Sequence, residues 1–201
     1  SLQRIPHMRS SPFQSAFLRS RRRFLRATAG STLSATGIAL ASGLGVSQAL
    51  GAVSDEDVEK DIRILNTAIS AEHEAVAAYQ LGAESGLLSK PVAKTAIAFQ
   101  GHHKEHVEAL TKAVRSLGGN APEPKKDYDF PTDQLHQERD VLEFAAGLER
   151  GAVSAYAGAI PLFDNRQLSA AAASILADEA MHWAVLRSVL GLDPVPGAFF
   201  S

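Results

Sequence analysis

Three histidines fall within five residues of the stretch FQGHHKEHV at positions 99–107. Imidazoles at that density can ligate a metal, pair with carboxylates or form a solvated cluster, and the outcome depends on the face each one occupies. His103 and His106 continue an apolar stripe made by Val92, Ala96, Phe99, Leu110, Ala113 and Leu117 at helical spacing. His102 lies one position off that stripe and reads as a solvated or flanking residue, although a helix rotated by one position exchanges it for His103.

Three more stripes carry the same signature. Glu72 interrupts Ile62, Leu65, Ile69, Val76 and Tyr79. Glu149 interrupts Leu142, Ala145, Ala152 and Tyr156. Glu179 and His182 interrupt Leu168, Ala172, Ile175, Leu186 and Val189. In an antiparallel bundle, mid-helix positions fall at one height, so Glu72, His103, His106, Glu149, Glu179 and His182 are expected to meet in one polar layer. Burying three ionised carboxylates costs several kcal/mol each when they are unpaired. Histidinium partners, protonation or a metal can offset this, and a metal satisfies every ligand at once.

The neighbours of these residues read differently. His73 points about 100° around the helix from Glu72 and is not expected to ligate. Glu74 and Glu105 read as solvated. Tyr79 and Tyr156 each sit two turns, roughly 10 Å, beyond a stripe glutamate. Core packing is their expected role, with a hydrogen bond behind the ligands or an electron relay as the alternative.

The elements that must position these groups are helices. Ser54, followed by Asp55, Glu56 and Asp57, caps a first helix reaching about Glu84. Ser89 and Pro91 open a second, which Gly118 and Gly119 end. The segment APEPKKDYDFPTD is too irregular for a helix. A third helix is expected from about Asp133 to Ile160, with Pro161 ending or kinking it. Asp164 or Asn165 caps a fourth, which stops at Gly191. No strand stands out. The halves repeat: EHEAVAAY at 72–79 matches ERGAVSAY at 149–156, so two similar hairpins form a pseudo-twofold bundle.

Charge divides the chain. Residues 1–54 hold seven of the 20 Lys and Arg and none of the 22 acidic residues, which leaves about −9 for the rest. That acidic remainder excludes nucleic acid as a partner, because phosphates are repelled. The absence of cysteine excludes thiolate metal sites and disulfides. Residues 20–26, SRRRFLR, precede a mildly apolar segment and resemble a twin-arginine export signal built on Arg21 and Arg22. Gly37, Gly43 and Gly45 interrupt that segment and argue against a membrane anchor. The expected division is a leader at 1–52, cleaved between Ala49 and Ala52, and a helical domain at 53–201; Met8 offers an alternative start. The leader implies the twin-arginine translocation machinery as a partner and a periplasmic or otherwise exported location.

With its four Glu- and His-bearing stripes, the chain resembles the ferritin-like superfamily over residues 55–190. Diiron members of that superfamily carry Glu on helix 1, Glu-x-x-His on helix 2, Glu on helix 3 and Glu-x-x-His on helix 4. Glu72, Glu149 and the pair Glu179/His182 match three of these elements. The motif Glu-x-x-Ala-x-x-x-Tyr is similar to rubrerythrin, and the chain as a whole is similar to a group of exported bacterial ferritin-like proteins without an assigned function. The resemblance implies an all-α, antiparallel four-helix bundle with a long crossover between helices 2 and 3, and a metal centre of iron, dinuclear or mononuclear, with manganese or zinc as alternatives. His103-x-x-His106 departs from the pattern, because imidazole stands where a bridging carboxylate is expected. A weakened dinuclear site, a mononuclear site and no metal are the outcomes left open. The functional expectation is an exported metal-binding protein, with oxidoreductase chemistry on iron, oxygen or peroxide. The alternative is a metal-free bundle with a structural, stress-related or binding role in the cell envelope. Trp183 and the C-terminal Phe199 and Phe200 suit docking on the bundle or on a second subunit, as in a homodimer.

Overall fold

The computed structural model describes residues 54–200; the leader reading, with Arg21 and Arg22, lies outside them. Four helices follow in order: α1 at Asp55–Glu84, α2 at Lys90–Ser116, α3 at Glu138–Ala159 and α4 at Arg166–Val189. Among the described residues there is no strand, and no helix is long and apolar enough to cross a membrane.

Local chemistry sets the ends of the helices. Ser54 accepts a hydrogen bond from the Asp57 N–H, and Asp57 accepts one from the Ser54 N–H, which closes the first turn of α1. Gly118 and Gly191 adopt φ of 81° and 75° and stop α2 and α4, a conformation that favours glycine. Asn165 caps α4 by accepting from the Gln167 N–H. Pro161 ends α3 and opens a short 3-10 turn at Ile160–Leu162.

The start of α3 differs from expectation. Residues Thr132–Gln134 form a separate 3-10 turn, and α3 begins at Glu138. Asp140 is the reason: its carboxylate accepts the backbone N–H groups of His136 and Gln137, and the Gln137 side chain completes a reciprocal cap. Gln is an unusual cap residue, so the boundary is hard to find from sequence. The long connection from α2 to α3 is tied down where Phe130 packs edge-on against Phe144 of α3.

Side-chain pairings give the directions. Glu72 meets Tyr156 while Tyr79 meets Glu149, so α1 and α3 are antiparallel. Phe99 stacks on His182 while His106 approaches Asp178, so α2 and α4 are antiparallel as well. An apolar cluster including Leu65, Ile69, Leu110, Val114, Leu168 and Ile175 fills one end of the bundle. A second, including Phe99, Leu142, Leu186 and Leu190, fills the other. The expected stripes hold with small rotations: Ala146 and Val153 are buried more deeply than Ala145 and Ala152, and Leu190 is buried where Val189 is exposed. The 3.6-residue helical turn drifts against a 3.5-residue stripe, which accounts for these shifts.

Asp61 was not among the expected core positions, yet it is 1% exposed. Its carboxylate accepts the backbone N–H groups of Asp164 at 3.0 Å and Asn165 at 3.1 Å, pinning the start of α4 to α1. Hydrogen bonds to a charged group contribute about 1.5–3 kcal/mol each. Asp61→Ala is therefore expected to lower stability by about 2–4 kcal/mol, a fall in Tm of roughly 5–15 °C by circular dichroism. Asp61→Asn, which keeps one accepting oxygen, should lose less than half as much.

Candidate metal centre

Between the two apolar clusters lies the polar layer. Glu72, His103, Glu149, Glu179 and His182 are each at most 3% exposed, and His106 is half-buried. All six come together, one or two from each helix. Their ligand atoms form two overlapping groups in which the atoms lie within 4.8 Å of one another: Glu72, His103, His106 and Glu179, then His103, Glu149, Glu179 and His182. His103 and Glu179 belong to both. Two adjacent ion positions sharing the Glu179 carboxylate, with His103 placed to serve one or the other, are the geometry this arrangement offers.

The electrostatics are those of alternating charges. Burial disfavours the charged imidazole of His103, but hydrogen bonds to Glu149 and Glu72, with the nearby Glu179 charge, raise its pKa to about 10. His106 and His182 are likewise raised against burial to about 9, by Glu179 and Glu72 in one case and Glu149 and Glu179 in the other. Burial opposes ionisation of Glu72 and Glu149, yet bonds from the same histidines hold both carboxyls below the usual carboxylate range. His103 Nδ1–H donates to Glu72 Oε2 at 2.8 Å and Nε2–H to Glu149 Oε1 at 3.3 Å.

These bonds do not satisfy the layer. Glu149 Oε2, both Glu179 oxygens and His182 Nδ1 are buried without a hydrogen-bond partner. Glu179 Oε1 approaches His106 Nδ1 at 3.1 Å but lacks the alignment of a hydrogen bond. Buried donors and acceptors are normally paired. Four convergent atoms left without partners are what a cation would satisfy, so the residues fit a metal. The oxygen and imidazole donor set suits iron, manganese or zinc.

Groups behind the layer hold it in place. Tyr79 donates its hydroxyl to Glu149 and Tyr156 donates to Glu72 at 2.5 Å, so each hairpin's tyrosine serves the other hairpin's glutamate. Burial, and then the glutamate charges, raise both phenols well above their ordinary range, which keeps them donors. Sequence reasoning favours packing for these tyrosines; they are buried and bonded at once. Tyr156→Phe leaves Glu72 Oε1 short of its donor and should cost about 1–3 kcal/mol, a fall in Tm of roughly 3–10 °C by calorimetry.

Asp178 was missed. Its Oδ2 lies 3.3 Å from His182 Nε2 and 3.5 Å from His106 Nε2, behind both imidazoles, where it can orient their Nδ1 atoms inward. His102 is partly solvated, as expected of a flanking residue, but its Nδ1 also reaches His182 Nε2 at 2.9 Å. His73, Glu74 and Glu105 belong to neither group.

A cavity of about 540 Å³ opens between α1 and α3 onto Glu72, Glu149, His103 and the two tyrosines. Its walls are mostly apolar and rich in small residues, including Ala68, Ala71, Gly147 and Gly151. An added Cβ at Gly147 or Gly151 would meet nothing within 4 Å. Small apolar molecules thus have room to reach the layer from this side. At the C-terminus, Phe200 packs edge-on against Trp183, which docks the tail on its own bundle, while Phe199 is exposed.

No curated protein matches. A conserved hypothetical protein of Mycobacterium tuberculosis aligns at 20% identity and a TM-score of 0.62, covering 71% of this chain and 99% of that one. A ferritin-like diiron-carboxylate protein of Bacillus anthracis aligns at 22% identity and a TM-score of 0.57, covering 69% and 99%. The bacterioferritin of Mycobacterium tuberculosis aligns at 22% identity and a TM-score of 0.57, covering 70% and 87%. At such identities the likeness shows the fold alone. The family model described as a ferritin-like domain matches residues 60–192, a span that includes all six residues of the layer, and the chain belongs to that ferritin-like domain family.

Proposed function

We propose that the chain is an exported metal-binding protein whose buried layer holds two divalent transition-metal ions, iron foremost, and uses them in oxidoreductase chemistry with oxygen or peroxide. The observation that carries this reading is the pair of overlapping four-residue groups whose shared carboxylate has no hydrogen-bond partner. Glu72, His106 and Glu179 would hold one ion and Glu149, Glu179 and His182 the other, with His103 placed to complete one of the two through its single lone pair. Bound iron would supply the electrons that reduce oxygen or peroxide. The chain's own residues do the rest. Asp178 orients His106 and His182, the tyrosines fix Glu149 and Glu72, and the α1–α3 cavity admits a small apolar oxidant while the apolar clusters exclude bulk water.

Metal content measured by mass spectrometry on chelator-free protein tests the reading. Close to two equivalents after anaerobic Fe²⁺ addition, with absorbance growing in the near ultraviolet on exposure to oxygen or peroxide, is the expected result. Less than about a tenth of an equivalent of any transition metal would overturn it. One observation favours a second reading. Three raised imidazoles face three glutamates, so the charges balance without a metal, as suits a bundle with a structural, stress-related or binding role. Export rests on SRRRFLR alone. Lysine at both Arg21 and Arg22 should leave the precursor in the cytoplasm, and normal processing of that variant would remove the leader argument.

A further inference from the structure

At the edge of the layer, His182 joins two residues outside the six, His102 and Asp178, in a third group whose ligand atoms lie within 4.8 Å of one another. His182 faces two ways. Its Nδ1 lies 3.4 Å from Glu149 Oε1 and from Glu179 Oε2, inside the layer. Its Nε2 lies 2.9 Å from His102 Nδ1 and 3.3 Å from Asp178 Oδ2, towards solvent. Asp178 Oδ2 also lies 3.1 Å from His102 Nδ1. Exposure falls inward along the group, from 46% for the His102 side chain to 23% for Asp178 and 2% for His182.

We propose that His102, Asp178 and His182 form a capture site for a divalent transition-metal ion at the α2–α4 rim, from which the ion passes to the buried layer. This rests on the metal-binding reading above. Nitrogen and oxygen donors about 2.1 Å from one ion, at right angles to each other, stand about 3.0 Å apart. The three observed separations bracket that value. The ring of His182 is held in its plane by Phe99, stacked at 3.9 Å and 23°, and by His102 at 5.1 Å and 28°. Its two nitrogens therefore keep their inward and outward directions.

The opposite approach does not suit an ion. Apart from Glu74 and the groups of the layer itself, the α1–α3 cavity is lined mostly by apolar residues, and stripping water from a cation against such walls costs several kcal/mol. The rim instead replaces water ligands with a carboxylate and two imidazoles. It is also self-emptying. A neutral imidazole has one nitrogen lone pair to offer, so His182 cannot serve the rim through Nε2 and the layer through Nδ1 together. Filling the inner position turns the Nε2–H of His182 towards Asp178 and dismisses the rim ion.

Co²⁺ added to the full chain tests the capture role, with visible absorbance followed by stopped flow and bound metal counted at equilibrium. His102→Ala is expected to slow loading at least tenfold while the inner layer reaches the same final count. In Glu72→Gln/Glu149→Gln protein, one Co²⁺ per chain should still bind with an affinity that adding His102→Ala lowers at least tenfold. Loading of His102→Ala at the wild-type rate would overturn the capture site and leave the inner centre standing. Wild-type protein that takes up no Co²⁺ would overturn both. His102 is surface-facing, and parallel melting curves separate slow loading from misfolding.

Discussion

Glu179→Gln is expected to remove tight binding at both ion positions and to leave at most one weakly held equivalent. Glu179 is the only carboxylate common to the two ligand groups, it is 0% exposed, and neither of its oxygens has a hydrogen-bond partner. Glutamine keeps the shape but loses the charge, and it offers one accepting oxygen where a shared ligand needs two. Changing groups behind a metal ligand commonly costs 10–100-fold in affinity, so losing the shared ligand itself should cost more than about 100-fold. Glu72→Gln makes the internal comparison. Glu72 belongs to one group alone, so that variant should keep about one tightly bound equivalent. Metal counting after desalting reads both results. Equal losses in the two variants would mean that Glu179 is not shared and that the two-ion arrangement is wrong.

The same comparison bears on His103. It stands where the diiron members of the superfamily carry a carboxylate, and it too belongs to both groups. An imidazole cannot bind two ions side by side along one edge as a carboxylate does. The burden of joining the positions therefore falls on Glu179, which is why a single substitution there is expected to outweigh any other in the layer.

Much of this arrangement was legible in the sequence because a buried helix declares its inner face. Each stripe is apolar except at mid-length, and that pattern alone is enough to expect all six polar residues at one height. What escaped depended on neighbours the sequence does not name. Asp61 sits beside Ile62 on the helix, and its burial follows from the two α4 backbone N–H groups it binds. Asp178 lies one residue before Glu179, at the edge of the stripe, and reads as surface until α2 brings His102 and His106 against it. The crossed tyrosine–glutamate bonds need the antiparallel register of α1 and α3, which a repeat within each hairpin does not reveal. The late start of α3 turned on one side chain, Asp140, capping its own helix.

Metal affinity should depend steeply on pH, in the direction opposite to the stability of the metal-free bundle. In the metal-free protein the pKa values of His103, His106 and His182 are raised to about 10, 9 and 9, so all three rings hold both protons and are cationic at pH 7. An ion can bind only an imidazole that has lost one. Filling both positions should therefore release about three protons, and the overall two-ion binding constant should rise about 1000-fold per pH unit between roughly pH 6.5 and 8.5. Without metal the sign reverses. Histidines raised above their unfolded value of about 6.5 contribute stability that is complete below that pH and is lost as pH climbs through 9 to 10. Glu72 is lowered, so its contribution is present above about pH 4.5 and is lost as acid protonates it. Melting of the metal-free protein should thus be highest near pH 4.5–6.5 and fall towards pH 9.5, while metal-saturated protein gains on it over the same range. Titration calorimetry in buffers of different ionisation enthalpy counts the protons directly. A count near zero would mean that the imidazoles enter the complex already neutral, which is incompatible with the alternating charges of the layer.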